Sequence, residues 1–453
     1  MPTYSTTTDS VAARVAGSDA PRAQRTYYTV EQNAAIFRSY FSLEFELGTQ
    51  VAGAVCRFPE LEVKCALSHH LHSGMLRARD FRARLADFNV PHPEHKVDGR
   101  YTNLVRHLLA APDETSLLAA LYRVIRPSQL RAYQAHASTT LEVNDAPSRE
   151  LLEMHLPGLT RDLDWGQEYL ARQERAGWSG AAEFEEELRG HLRAVGGPMG
   201  VKAPEGATEP ERYPAWRRPR QMALEPRFTL LSADRYTLPD WPEYEAIPSA
   251  YTHFTELPVI DIVGTLLSDG RGMRLPFEFF TEFSRQLWDE ARHSTMGFER
   301  LQAFGVDPYS VPIPVGHFTA WANINLLHRL ASLTQVGEAC SFAPKRQWVK
   351  HAWERQDPLS ALEHEYDIVD ERMHVRFGAR WIPEIMRLQH DGRSVRQVVQ
   401  DADWEFRERI NKLRKKAGEN WAKDLGERFM GCGTDTSPVS LAPALDGIPN
   451  IIA

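Results

Sequence analysis

Apolar residues recur at spacings of three and four along most of the chain, as at Phe37, Tyr40, Phe41 and Leu43, and again at Leu85, Phe88, Leu104 and Leu108. That spacing lines one face of an α-helix. Alternating β-branched runs are scarce, so little sheet is expected and the fold class reads as all-α. Residues 1–27 read as a flexible leader, and the helical pattern then covers 28–196. It breaks over 197–248, where GGPMGVKAPEGATEPERYPAWRRPR and prolines 226, 239, 242 and 248 stop any helix. This stretch reads as a surface linker, and its basic run Trp216-Arg217-Arg218-Pro219-Arg220 as a solvated loop that pairs with acidic neighbours. Periodicity returns over 249–392 in four segments, 250–267, 276–304, 317–353 and 359–390, with Pro344 a point of interruption in the third. A polar, charged helix within 393–430 is expected on the outside, followed by an extended tail over 431–453.

Composition narrows the function classes. The chain has 453 residues, 42% of them hydrophobic, enough to build a large core without a disulfide or structural metal. The net charge of −8 is spread along the sequence, which argues against a nucleic-acid or anionic-membrane binder. No apolar run is long enough for a membrane span. Cys56, Cys65, Cys340 and Cys432 form no C-x-x-C pair, and a reduced, cytoplasmic setting is expected. The dinucleotide fingerprint, the P-loop string, the nucleophile elbow and the H-E-x-x-H string are all missing.

Two strings carry chemistry. Asp289-Glu290-Ala291-Arg292-His293 and Asp370-Glu371-Arg372-Met373-His374 are both D-E-x-x-H, and no other E-x-x-H occurs. A Glu and a His three apart share a helix face, so the pair can bind one metal ion. Two such helices facing each other can hold two ions, and two further helices of a bundle supply one more carboxylate each. Glu256 lies 34 residues before Glu290, and Glu338 lies 33 before Glu371, the interval expected of two matched antiparallel pairs. Asp261 rivals Glu256, with Glu354, Glu363 and Glu365 as weaker rivals of Glu338. Asp289 and Asp370 are placed to orient the metal-bound histidine of the opposite helix.

These strings, in DEARHSTMGFERLQAFG and DERMHVRFGARW, resemble little-characterised bacterial members of the ferritin-like di-iron carboxylate superfamily, over about residues 250–390. The resemblance implies a four-helix bundle with Glu256, Glu290, His293, Glu338, Glu371 and His374 as ligands to two iron ions, or a Mn/Fe pair, reacting with O2. It implies an oxygenase or oxidase that hydroxylates, N-oxygenates or desaturates a small organic substrate. In such a centre Glu338 or Glu371 shifts its coordination to open a reactive position. With no nicotinamide or flavin site, electrons come from an external donor, the substrate or peroxide. Alternative readings are a ferroxidase or peroxide-handling protein, and a non-enzymatic metal-stabilised scaffold. A homodimer is the expected assembly.

The N-terminal half carries a faded repeat. The stretch Pro59-ELEVKCALSHHLHSGMLRARDFRARLADF resembles Pro276-FEFFTEFSRQLWDEARHSTMGFERLQAFG, and both contain Arg-Leu-x-x-Phe. Glu44 or Glu46 matches Glu256, but Ser73 or Gly74 stands for Glu290, and Leu76 or Arg77 for His293. A degenerate, metal-free copy of the bundle is therefore expected over 28–196. His69, His70 and His72 point different ways on a helix and read as a hydrogen-bonded cluster.

Overall fold

The computed structural model describes residues 27–201, 205, 211–230 and 246–416. Residues 1–26 of the leader, the expected end of the outer helix over 417–430, and the whole tail over 431–453 with Cys432 lie outside the described residues.

The described residues are mostly helical, with one pair of two-residue strands and an irregular stretch over 211–228. Helix α1 spans Val30–Glu46 and runs on through a π turn, Leu47–Val51, and a 3-10 turn, Ala52–Arg57. Thr29 starts it with a capping box, its hydroxyl accepting from Gln32 N while the Gln32 side chain accepts from Thr29 N. Then come α2 (Leu61–Asp87), α3 (Gly99–Leu109) and α4 (Glu114–Ala119), the last continuing through a π turn, Ala120–Ile125, into α5 (Arg126–Thr139). Helices α6 (Ala146–Arg175) and α7 (Ala182–Ala194) complete this half.

The C-terminal half repeats the order. It comprises α8 (Ala246–Phe254), α9 (Leu257–Gly272), α10 (Phe277–Ala303), α11 (Val315–Ala322) and α12 (Leu326–Ser332). A π turn, Leu333–Glu338, leads into α13 (Ala339–Glu354), followed by α14 (Pro358–Leu388) and the outer helix α15 (Val395–Lys416). Asp357 caps α14 by accepting from Ser360 N, with Pro358 at the first helical position, where its missing N–H costs nothing. None of the described helices is long and apolar enough to cross a membrane.

Two boundaries differ from the periodicity reading. The first C-terminal segment is broken at Thr255–Glu256, so Glu256 sits at a helix junction. The third is broken near Asn323 and not at Pro344, which α13 carries internally. The linker is better anchored than its composition suggests. Thr229–Leu230 (β1) pairs in parallel with Pro312–Ile313 (β2), Phe228 is buried, and Arg218 donates to Asp269 at 2.9 Å and to the Ala322 carbonyl.

One large apolar core runs through both halves, with α2 packed lengthwise on α10, and a small second cluster of Ala339, Phe342, Ile368 and Val375 lies between α13 and α14. Lys64 of α2 reaches Asp261 of α9 at 2.6 Å, both fully buried, and His72 stacks on Trp288 and contacts the Ser284 hydroxyl at 3.1 Å. The N-terminal half thereby braces the two C-terminal helices that precede and carry the first D-E-x-x-H string.

Candidate metal centre

Glu290 and His293 sit one turn apart on α10, and Glu371 and His374 do the same on the facing α14. All four are fully buried. Glu338 enters from the end of the π turn, and Glu256 from the α8–α9 junction, where its side chain keeps 15% exposure. Their donor atoms fall into two groups, each within 4.8 Å: Glu256, His293, Asp367 and Glu371 in one, and Glu290, Glu338 and His374 in the other. The six side chains singled out in the sequence thus converge from separate elements.

Both imidazoles are turned the same way. His293 Nδ1 lies 2.9 Å from Glu256, and His374 Nδ1 lies 3.1 Å from Glu371 and 3.4 Å from Glu290. The Nε2 atoms point across to the other string, His293 to Asp370 at 3.4 Å and His374 to Asp289 at 3.3 Å. Arg285 and Arg292 pair with both aspartates in turn. One nitrogen of each ring therefore faces the carboxylates while the other is fixed by an aspartate, the arrangement that orients metal-ligating histidines.

Several participants were not found from the sequence. Lys345 of α13, 1% exposed, places Nζ 2.8 Å from Glu371, 2.7 Å from Asp367 and 3.5 Å from Glu256. Asp367 also meets His253 Nε2 at 2.8 Å. Gln286 donates to both Glu290 and Glu338, at 3.0 and 3.1 Å. Helical spacing could have flagged them: Asp367 is four residues before Glu371, Gln286 four before Glu290, and Lys345 seven after Glu338.

The rivals lie elsewhere. Asp261 is paired with Lys64, Glu354 lies near Lys350, Glu363 lies near Arg300, and Glu365 accepts from Trp353. Thr334 donates to the Leu330 carbonyl and Ser341 to that of Glu338. Of the three N-terminal histidines, His70 meets the Tyr122 hydroxyl at 2.6 Å and Asp162 at 3.5 Å, while His69 and His72 lie against Trp288.

The charge balance distinguishes this cluster from an ordinary buried ion pair. Asp289 and Asp370 are matched by Arg285 and Arg292, and Asp367 by Lys345. Glu256, Glu290, Glu338 and Glu371 remain, four carboxylates with only two imidazoles. Four negative charges are what two divalent cations neutralise. Without metal, protons must serve. Burial raises Glu290 to about 8, helped by Glu371 and Glu256 and opposed by His374. Burial, with Glu371 and Glu290 close by, lifts Glu338 well above the carboxylate range. Burial would lower the histidines, but Asp289 and Glu371 raise His374 to about 10, and Asp367 and Glu256 raise His293 well above its usual value. Burial disfavours the Glu371 anion too, yet Lys345 and His374 hold it ionised. Glu290 Oε2 is buried without a hydrogen-bond partner. An oxygen- and nitrogen-rich donor set with surplus charge and an orphaned oxygen fits bound iron or manganese.

A cavity of about 410 Å³ opens on the outward side of the α13–α14 pair, lined in part by Arg346, Val349, Tyr366, Ile368 and Arg372. Arg346 and Arg372 follow Lys345 and Glu371 directly in sequence, so the same two helices carry the centre inside and the cavity outside.

No protein-family model matches the chain, and no match is found among curated proteins or solved structures.

Proposed function

We propose that the C-terminal half is a ferritin-like dinuclear metal bundle and that the protein is a non-haem di-iron oxygenase or oxidase acting on a small organic substrate. The observation that carries this reading is the unbalanced centre: four surplus carboxylates, three of them buried, and two imidazoles whose outer nitrogens are held by Asp289 and Asp370. Glu256, His293 and Glu371 would hold one ion and Glu290, Glu338 and His374 the other. When bound, the iron pair supplies the electrons and the Lewis acidity for reaction with O2.

The chain's own residues do the rest. Arg285 and Arg292 each pair with both Asp289 and Asp370, which fixes the two carboxylates against the imidazole Nε2 atoms. Gln286 ties Glu290 to Glu338, and Lys345 holds one oxygen of Glu371, limiting how far either glutamate swings. Glu338 ends a π turn, an irregularity that recurs at functional sites and lets its backbone adjust without breaking the helix. The full burial of Glu290, His293, Glu371 and His374 keeps water from the reacting groups, while the partly exposed Glu256 marks the more open side.

Oxygen uptake by the ferrous-loaded protein tests the proposal. Uptake that depends on an added organic compound, with a stoichiometric oxidised product, is expected. Uptake with iron alone, yielding only ferric iron, would replace it with the ferroxidase reading. No uptake with two irons bound and any compound tried would contradict it.

A further inference from the structure

The two halves can be aligned residue by residue from their own geometry. Helices α2 and α10 have equal length, and each ends on Phe followed by a residue with positive φ, Asn89 at 58° and Gly305 at 77°. Val90 N then bonds the Leu85 carbonyl, and Val306 N the Leu301 carbonyl, both at 2.9 Å. In this register Gly74 matches Glu290 and Arg77 matches His293. Helices α6 and α14 align through Gly166 and Gly378. A Cβ at Gly166 would strike Tyr122, and one at Gly378 would strike Thr334, each within the π turn before the third long helix. That register matches Arg126 to Glu338, Tyr133 to Lys345, Leu159 to Glu371 and Asp162 to His374, and it matches Glu44 to Glu256.

The contacts correspond as well. Arg77 reaches Glu44 at 2.6 Å where His293 reaches Glu256 at 2.9 Å, and the Tyr133 hydroxyl reaches Glu44 at 3.3 Å where Lys345 Nζ reaches Glu256 at 3.5 Å. Arg126 adds a second bond to Glu44 at 2.8 Å, and Arg77 lies 3.6 Å from Asp162. All four charged groups are nearly or fully buried. A Cβ on Gly74 would project among Glu44, Arg77 and Arg126.

We infer that the N-terminal half is a second copy of the metal bundle in which two buried arginines, Arg77 and Arg126, balance Glu44 and Asp162 and stand in place of the metal ions. The identification of the C-terminal centre as a metal site rests on the function proposed above; the correspondence of the two halves does not. Two guanidinium groups against two carboxylates leave no charge for a divalent ion to neutralise. The copy has become a metal-independent block, and through Lys64–Asp261 and His72–Trp288 it braces the helices of the other centre whether or not metal is bound.

Two experiments test this. In chelator, Glu44→Gln is expected to lower the thermal midpoint by roughly 5–10 °C, because it strands two buried arginines, whereas Glu338→Gln, which replaces a buried carboxyl held by the Gln286 amide and by no cation, leaves the midpoint unchanged or raises it. Equal losses for the two variants, or no loss for Glu44→Gln, would overturn the inference without reference to metal. The second is iron content of the five-fold variant Gly74→Glu, Arg77→His, Arg126→Glu, Leu159→Glu, Asp162→His, which restores the ligand set around Glu44. A folded variant is expected to bind two more irons than the parent. A natively folded variant with no extra iron, beside a parent that binds two, would overturn it; should the variant not fold, the chelator comparison decides. A parent that binds no iron would count against the proposed function alone.

Discussion

His374 on α14 points Nε2 at Asp289 on α10 across 3.3 Å, and His293 returns the contact to Asp370 at 3.4 Å. Each D-E-x-x-H string therefore supplies the aspartate that orients the other string's histidine, and the two helices are bound into one reciprocal unit. Replacing Asp289 by Asn keeps the shape and removes the charge. Asp289→Asn is expected to weaken metal binding about 10–100-fold while the fold persists. Competition with a chelator of known affinity, beside circular dichroism, checks it; unchanged affinity would detach Asp289 from the centre.

Loading should release protons. In the metal-free chain His293, His374, Glu290 and Glu338 are all placed to hold a proton near neutral pH. Two divalent ions are expected to displace about four. Calorimetric titration in buffers of different ionisation enthalpy measures the number. The sign of the pH dependence follows from Glu290, whose folded value is raised to about 8: the metal-free fold keeps that proton below about pH 8 and loses it above. Apparent affinity should thus rise with pH, most steeply below about 8, and go on rising towards about 10, where His374 loses its proton.

Lys345 neutralises Asp367 at the centre's edge and also lies 2.8 Å from Glu371. Lys345→Met leaves buried carboxylates without their cation, and in chelator it is expected to cost about 3–5 kcal/mol. Bound metal should recover part of that loss. Denaturant melts with and without metal separate the two; equal losses would place Lys345 outside the centre.

Gly378 lets α14 approach the π turn that delivers Glu338. A methyl group there would collide with Thr334 and Gln335. Gly378→Ala is expected to cost about 1–3 kcal/mol and to weaken metal binding through displacement of Glu338. Stability lost with full affinity retained would show that the turn does not position the glutamate.

Acid titration reads the N-terminal cluster. Burial opposes the Glu44 anion, but Arg126 and Arg77 overcome it and lower its value from 4.5 to about 2. Because the folded value is depressed, its stabilisation is complete above about pH 4.5 and is lost as pH falls towards 2. Glu44→Gln should flatten the stability profile between those limits.

The helical class and the facing D-E-x-x-H strings were legible because helical periodicity and an i, i+3 Glu–His pair on one helix face are both written locally in sequence. Glu256 and Glu338 came from matched intervals, even though one sits at a junction and the other on a π turn, features without a local signature. Lys345 was hidden because a lysine among PKRQWVK reads as surface, and only the packing of α13 on α14 turns it inward. Glu44 and Arg77 were visible as candidates, but their register needed the matching helix ends at Asn89 and Gly305. The linker's anchoring depends on the pairing of β1 with β2, 83 positions apart, which no local pattern reveals.

The most direct test of the dinuclear centre is iron content per chain after anaerobic loading and desalting, for the parent beside Glu290→Ala and His374→Ala. Close to two irons in the parent, and a loss in both variants that still fold, is the predicted result. A folded parent that retains no iron would contradict it and leave the facing strings as a buried polar network alone.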